Sequence, residues 1–142
     1  MAIVNDTESR DYIDSGVVLT AWRGDERLKR AARAFLSRLD RTLVASSLMR
    51  LETWPKAAYR ANLEELSFFN SIFYSIDEWI PIEDALIEAA IELGRHYDIV
   101  NLDALHAAAA IRGGADRFVT TERPGKPLYR LTEVKVVYLL DL

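Results

Sequence analysis

Apolar positions repeat at helical spacing in several long segments of the chain. The clearest pattern covers residues 25–39, where apolar side chains recur at i, i+3, i+4 and i+7. The same spacing predicts helices at residues 84–97 and 101–112. The second of these is rich in alanine and is expected to end at Gly113-Gly114, because glycine commonly terminates helices.

The middle of the chain is predicted to contain a helix that carries Glu52. Ser46 or Ser47 is expected to cap its N-terminus, since a serine hydroxyl can accept a hydrogen bond from the first turn. The helix is expected to be interrupted near Trp54-Pro55, because proline lacks an N–H donor and clashes with the preceding turn.

A further long helix is predicted over residues 57–76. Leu66, Phe69 and Phe73 follow one helical face, and Phe68 and Ile72 widen the apolar stripe beyond what one core contact requires. A second interface would account for this excess, so the pattern predicts a homodimer.

Short β-branched and apolar runs separate these helices and predict strands. Strands that alternate with helices indicate a three-layer α/β/α sandwich around a mainly parallel sheet, and we expect residues 1–142 to form a single domain. Pro81 suggests that the third strand is short or lies near an edge of the sheet. The predicted strands are residues 11–14, 42–45, 78–82, 117–121 and 134–140.

Four carboxylates sit where strand or helix boundaries would bring them to one edge of that sheet. Ligand sites of parallel sheets form beyond the carboxyl ends of the strands. Gathered acids repel one another unless a cation lies between them, and a divalent metal prefers such oxygen ligands. Metals held in this way are typical of phosphate chemistry. The candidate metal ligands are Asp14, Glu52, Asp103 and Glu122. Asp116 is not a candidate, because it precedes its strand and is expected at the opposite edge of the sheet.

The composition excludes several kinds of functional site and indicates where the protein is located in the cell. The chain has no cysteine, which excludes disulfides, thiolate metal sites and a cysteine nucleophile, and its two histidines are too few for a histidine-rich zinc site. The N-terminus is acidic and has no apolar run, so it is not expected to be a signal peptide. No apolar stretch approaches the roughly 20 residues of a membrane helix. We therefore expect a cytoplasmic protein with no membrane contact.

Charge is distributed unevenly along the sequence. The net charge is −4, yet residues 22–41 hold seven basic and three acidic side chains, so that this segment is +4 and the remainder −8. Such a basic stripe can follow a phosphate backbone, although a solvated helix face explains each basic residue equally well. The candidate RNA contacts are Arg23, Arg30, Arg33, Arg123 and Lys126.

The motifs around the acids resemble those of a known family. Tyr-Ile-Asp-Ser at Asp14, the helical Glu52, Leu-Asp-Ala-Leu-His-Ala-Ala-Ala-Ala at Asp103 and Gly-Ala-Asp-Arg-Phe-Val-Thr-Thr-Glu at Glu122 are together similar to a PIN domain. Within that family the chain resembles the VapC-type toxins of toxin–antitoxin pairs. The resemblance covers nearly the whole chain from Asp11 onward, and it rests on the order and spacing of all four motifs.

The resemblance implies a ribonuclease that uses Mg²⁺ or Mn²⁺ and is blocked by a cognate antitoxin. Asp14, Glu52 and Asp103 match the three core acidic ligands of the family. Glu122 stands where the family more usually has an aspartate, and its longer side chain leaves open whether it binds metal directly or supports the residues that do.

Several neighbours of the acids are expected to assist. The hydroxyls of Ser15, Thr120 and Thr121 are candidates for binding metal-bound water or phosphate. His106 lies one helical turn after Asp103, and a lone histidine beside an alanine run is more typical of a packed, hydrogen-bonded core residue.

Two other functions fit parts of the pattern. Receiver domains and phosphatases with an aspartyl nucleophile also place acids at strand ends, but the chain lacks the Asp-x-Asp pattern of such phosphatases. A PIN-fold interaction module without catalytic activity would explain the fold, although it leaves the retained core acids unexplained.

Overall fold

A computed structural model describes residues 8–142 of the chain. The expectation that the N-terminus is not a signal peptide concerns residues 1–7, which lie outside this range. Within residues 8–142, no helix combines the length and the apolar character needed to cross a membrane. The elements are β1 (Ser9–Ile13), α1 (Ser15–Arg23), α2 (Glu26–Leu36), β2 (Arg41–Ser46), α3 (Leu48–Tyr59), α4 (Leu63–Ser75), β3 (Glu78–Ile80), α5 (Asp84–Tyr97), α6 (Asn101–Arg112), β4 (Arg117–Thr120) and β5 (Lys135–Tyr138).

The five strands form one sheet in the order β3-β2-β1-β4-β5, and every neighbouring pair is parallel. Strand β1 is central, with Tyr12 opposite Val44 of β2 and Phe118 of β4. The chain adds strands on one side of β1 and then on the other. The carboxyl ends of β1 and β4 therefore flank a topological switch point, where parallel sheets commonly form ligand sites.

Helices cover both faces of the sheet. Tyr12 and Phe118 face the layer that contains α5 and α6, whereas Ile13 and Val119 face the layer that contains α1 to α4. Successive strand residues are consequently buried on opposite faces, which explains the adjacent apolar residues Tyr12-Ile13 in β1 and Phe118-Val119 in β4. The predicted three-layer α/β/α sandwich is confirmed, and the short strand β3 lies at an edge, as Pro81 indicated.

Helix α3 differs from its prediction because it continues through Pro55. Pro55 lies on the exposed side of the helix, where a freed carbonyl can be hydrated, while Met49, Thr53 and Ala57 are buried on the opposite side. Packing of that face outweighs the local cost of proline. The predicted serine cap is also wrong, since the side chain of Ser47 makes no capping hydrogen bond.

The single helix predicted over residues 57–76 is in fact divided. Helix α3 ends at Tyr59, and Ala61 takes a left-handed conformation with φ of 53°. The side chain of Asn62 then caps α4 by accepting a hydrogen bond from the backbone N–H of Glu65 at 3.1 Å. Asparagine is a strong N-cap, and this local signal was hidden by the apolar periodicity on either side.

The wide apolar stripe of α4 is largely covered within the chain. Phe68 packs against Trp22 with ring centroids 5.3 Å apart, and Phe73 packs against Trp54 and Trp79. Phe68 and Ile72 are thus partly buried without a second subunit. The homodimer remains a prediction, but the residues that suggested it have partners in this chain.

A buried ion network anchors the beginning of β1. Asp11 is fully buried and accepts two hydrogen bonds from Arg117, at 2.9 and 2.7 Å. The guanidinium of Arg41 lies 3.7 Å from the same carboxylate and above the ring of Phe35. Burial lowers the pKa of Arg41, and the charge of Asp11 acts in the opposite direction. One carboxylate therefore pairs with two arginines that come from the strands on either side of it.

We expect Asp11→Asn to lower the free energy of unfolding by about 3–5 kcal/mol, because it leaves a buried arginine charge uncompensated. Urea unfolding measures the change as a shift of the midpoint at constant slope. Asp40→Asn is the matched control: Asp40 pairs with Arg38 at the surface, where solvent screens the interaction, and its midpoint should be unchanged. Equal midpoints for the two variants would contradict the assigned role of Asp11.

Candidate functional site

Asp14 follows β1 and begins α1, a helix that the sequence pattern did not identify. Its carboxylate accepts a hydrogen bond from the N–H of Val17 at 3.3 Å and another from the hydroxyl of Thr120 at 2.9 Å. The helix and β4 approach closely here, since a Cβ on Gly16 would lie 2.6 Å from Oγ1 of Thr121. The carboxylate of Asp14 therefore caps α1 and also lies at the carboxyl edge of the sheet, where it binds Thr120.

Glu52 projects from α3 and is held by two side chains. The hydroxyl of Ser15 donates to its Oε1 at 2.6 Å, and Nε2 of His106 lies 2.7 Å from the same oxygen. His106 is buried, and its Nδ1 lies 2.6 Å from the hydroxyl of Tyr12. Burial acts to raise the pKa of Glu52, but the hydrogen bonds from His106 and Ser15 outweigh it and leave that pKa lowered.

Asp103 and Glu122 come from the first turn of α6 and the segment after β4. Asp103 is exposed, and α6 has no side-chain capping bond, so helix capping does not account for this aspartate. The backbone of Glu122 is fixed on both sides: its N–H donates to Thr120 at 3.0 Å, and its carbonyl accepts from the hydroxyl of Tyr129 at 2.7 Å. Burial, followed by nearby negative charges, raises the pKa of Tyr129 to about 12.

Asp103 lies within electrostatic reach of each of the other three predicted acids. Burial is the main cause that raises the pKa of Asp14, and the charge of Asp103 raises it further. Partial loss of hydration likewise raises the pKa of Asp103, although its side chain is exposed, and the charges of Glu122 and Glu52 add to this effect. Asp103 therefore joins acids that are distant in sequence into one cluster of negative charge at the carboxyl edge of the sheet. Asp116, by contrast, binds the N–H of Arg10 at the amino edge, as expected.

The cluster is not arranged as a finished metal site. Within the described part of the chain, no group of three or more histidine, aspartate and glutamate side chains is placed so that it could hold a metal ion. The oxygens of Asp14 and Oε1 of Glu52 are instead occupied by internal hydrogen bonds. The chemistry of the donors nevertheless fits a hard divalent cation, because all four are carboxylates whose mutual repulsion a cation would relieve.

The candidate basic residues differ in their surroundings. Arg33 donates to the carbonyl of Ala21 at 2.7 Å and lies over the ring of Phe68, so it has partners within the fold. Arg23 closes α1, about 12 Å along the helix axis from Ser15. The remaining candidates, Arg30, Arg123 and Lys126, are exposed. Arg123 directly follows Glu122, and Lys126 lies three residues farther along the chain.

The site also contains Tyr12, which sequence reasoning did not select. Tyr12 is fully buried within β1, where an aromatic residue is ordinary for a strand. Its hydroxyl donates to Ser46 at 3.0 Å and contacts His106. No local pattern distinguishes such a tyrosine from a core residue, because its partners lie on other elements.

Comparison with known families identifies the family of the chain. The sequence profile of the PIN domain matches residues 12–123, which include all four acids. The chain belongs to the PIN domain family. No curated protein matches the sequence closely enough to count as a relative.

Solved structures share the fold of this PIN domain at low sequence identity. A chain of VapBC2 from Rickettsia felis bound to promoter DNA superposes with a TM-score of 0.69 and 16% identity, covering 91% of this chain and 98% of that chain. A chain of a toxin–antitoxin complex from Klebsiella pneumoniae superposes with a TM-score of 0.66 and 16% identity, and the match covers 91% of this chain and 97% of that chain. VapC20 of Mycobacterium tuberculosis, a sarcin-ricin-loop-cleaving toxin, superposes with a TM-score of 0.60 and 21% identity, and the match covers 88% of this chain and 98% of that chain.

We expect Asp14→Asn to raise the free energy of unfolding of this PIN domain by about 0.5–2 kcal/mol at neutral pH in EDTA. The raised pKa of Asp14 means that its contribution to stability is present in acid and is lost as the pH rises through that pKa. The gain should therefore vanish near about pH 4, where the wild-type carboxyl is protonated. Urea unfolding at both pH values provides the measurement.

The exposed residue Glu88 on α5 supplies a control, because Glu88→Gln should change stability at neither pH. A loss of stability for Asp14→Asn at neutral pH would show that the carboxylate is not under electrostatic stress.

Proposed function

We propose that this PIN domain is a metal-dependent endoribonuclease, acting as the toxin of a toxin–antitoxin pair. The observation that carries the proposal is the match to the PIN domain over residues 12–123, which include the four acids; hydrogen bonds from Thr120 and Ser15 hold two of them, Asp14 and Glu52, near the switch point. A fold does not require such a cluster, because unpaired acids at one place oppose stability.

Asp14, Glu52, Asp103 and Glu122 are the residues that would hold Mg²⁺ or Mn²⁺. The bound metal would supply an activated water and neutralise charge on the phosphate. The chain itself contributes orientation: Thr120 fixes Asp14, and Ser15 fixes Glu52 through hydroxyl donors. Thr121 adds a hydroxyl close to Gly16, at the N-terminus of α1.

The substrate proposal rests on the position of positive charge. Arg123 and Lys126 are exposed in the segment that leaves Glu122, where they would bind phosphates that flank the scissile bond. Arg23 and Arg30 are exposed farther from the acids and would extend this track. Arg33 already has partners within the fold, so we propose only a secondary role for it.

The proposed partner is an antitoxin protein. Solved structures with the same fold include a toxin–antitoxin complex from Klebsiella pneumoniae and DNA-bound VapBC from Salmonella typhimurium, the latter with a TM-score of 0.65 and 12% identity. This likeness concerns the fold, and it supports a partner of the same kind for this chain. A homodimer is part of the same proposal.

The two alternatives are less well supported. Receiver-like domains use the strand order 2-1-3-4-5, whereas the order here is 3-2-1-4-5. An interaction module without catalysis has no use for carboxylates under mutual repulsion, since neutral side chains would pack at lower cost. Both alternatives predict a protein that leaves RNA intact.

We expect the purified protein to cleave total bacterial RNA in Mg²⁺ or Mn²⁺ and to lose this activity in EDTA. Asp14→Asn, Glu52→Gln and Asp103→Asn should each lower the cleavage rate by at least about 100-fold, because each removes a charge from the proposed cation site. Gel analysis of the RNA over time measures the rate.

Asp116→Asn is the matched control for the cleavage assay. It removes one carboxylate from the opposite edge while its amide oxygen can still accept from Arg10, so activity should be retained. Cleavage that is equal in the wild type and in Asp14→Asn would assign the activity to a contaminant. Absence of both cleavage and metal binding would favour the interaction module.

Induced expression of the wild-type protein is expected to arrest bacterial growth, because a free endoribonuclease toxin destroys RNA. Expression of Asp14→Asn at the same level should permit growth, and Asp116→Asn should arrest it. Colony counts after induction, with protein amounts matched by immunoblot, test this expectation. Arrest by Asp14→Asn would separate toxicity from the proposed acidic site.

A further inference from the structure

His106 is a buried ionisable side chain that the proposed cation site does not require as a ligand. It lies in the middle of a hydrogen-bonded chain that begins at Tyr12, passes through both ring nitrogens and ends at Oε1 of Glu52. Ser15 binds the same oxygen from the other side. Two elements of the fold, α6 and the start of α1, therefore converge on one oxygen of a residue on α3, and β1 supports the histidine of α6 from behind.

The chemistry of Glu52 determines the direction of one of these bonds. Oε1 of Glu52 already accepts the hydroxyl proton of Ser15, and a carboxylate oxygen only accepts hydrogen bonds. Nε2 of His106 must then carry a proton and donate it to Oε1. Among the hydrogen bonds within residues 8–142, none involves Oε2 of Glu52, so one oxygen is fixed and the other has no protein partner.

We propose that His106 is a positioning residue that fixes one oxygen of Glu52, together with Ser15, and thereby leaves the other oxygen for a divalent cation. The inference rests on the proposed function for the identity of the cation. Hydrogen-bonded partners behind a ligand are known to orient it and to strengthen its basicity. Here the partner is a histidine behind a glutamate.

The position of His106 on α6 couples two acids of the site. Asp103 lies three residues earlier on the same helix, so the two side chains share one helix face. Helix α6 thus supplies one acid itself and holds another through His106. Tyr12 contacts the imidazole edge-on with ring centroids 5.8 Å apart, which restricts rotation of the ring.

The bond from His106 to Glu52 can be tested without metal or RNA. Long-range ¹H–¹⁵N spectra of the metal-free protein should show an Nε2-bound proton on His106, and Glu52→Ala should shift the Nε2 resonance markedly. The resonances of His96, which is exposed on α5, should stay in place. An unchanged His106 spectrum in Glu52→Ala would overturn the inference, whether or not the protein cleaves RNA.

The positioning role is tested by Mn²⁺ affinity, measured by calorimetry, and by cleavage of total bacterial RNA. His106→Leu removes the donor and should weaken Mn²⁺ binding by about 10–100-fold. His106→Gln keeps an N–H donor near the place of Nε2 and should recover most of that affinity and of the cleavage rate. His96→Gln is the matched control, expected to behave as the wild type.

Variants are compared only after urea unfolding shows that they are folded. Tyr12→Phe replaces His106→Leu if the latter does not fold, since it removes only the hydroxyl that contacts Nδ1, and it should weaken Mn²⁺ binding as well. A folded His106→Leu variant with wild-type affinity and cleavage overturns the positioning role. If the wild-type protein binds no Mn²⁺ and cleaves no RNA, the proposed function is refuted. The spectra still show in that case whether His106 donates a hydrogen bond to Glu52.

Discussion

Two carboxylates lie close together on the central strand, one in the middle of β1 and one directly after it, and their surroundings differ in charge. Asp11, the middle residue of the strand, is fully buried and paired with Arg117 and Arg41. Asp14, just beyond its end, receives hydrogen bonds from Val17 and Thr120, and its ionisation is opposed by burial and by Asp103. The central strand is thus stabilised by ion pairs at Asp11, whereas Asp14 makes no salt bridge among residues 8–142.

This asymmetry explains why the acids can persist together. Repulsion among the acids at the carboxyl edge lowers the stability of the fold. Burial of apolar side chains between the parallel sheet and the helices on both of its faces offsets this loss. Hydroxyl donors from Ser15 and Thr120 moderate the repulsion without removing any negative charge. The site is therefore held in place by neutral donors and by His106, an arrangement that preserves attraction for a cation.

Local sequence signals predicted most of the fold because they depend on nearby residues. Helices α5 and α6 match their predicted bounds, since apolar periodicity and a terminal glycine act over one or two turns. The prediction at Pro55 was wrong because buried contacts on the other face of α3 sustain the helix. The division before α4 was missed because the cap at Asn62 is a single residue between two apolar patterns.

The sequence by itself predicted that Asp14 and Glu122 lie at the carboxyl edge, because each follows a parallel strand and all such strands end on the same side. Only the tertiary structure decided the strand order, which sets the switch point beside β1, and the contacts that orient the acids. His106 meets Glu52 across 54 residues and Tyr12 across 94. Local propensity carries no information about such pairings, because packing of whole elements against the sheet brings these side chains together.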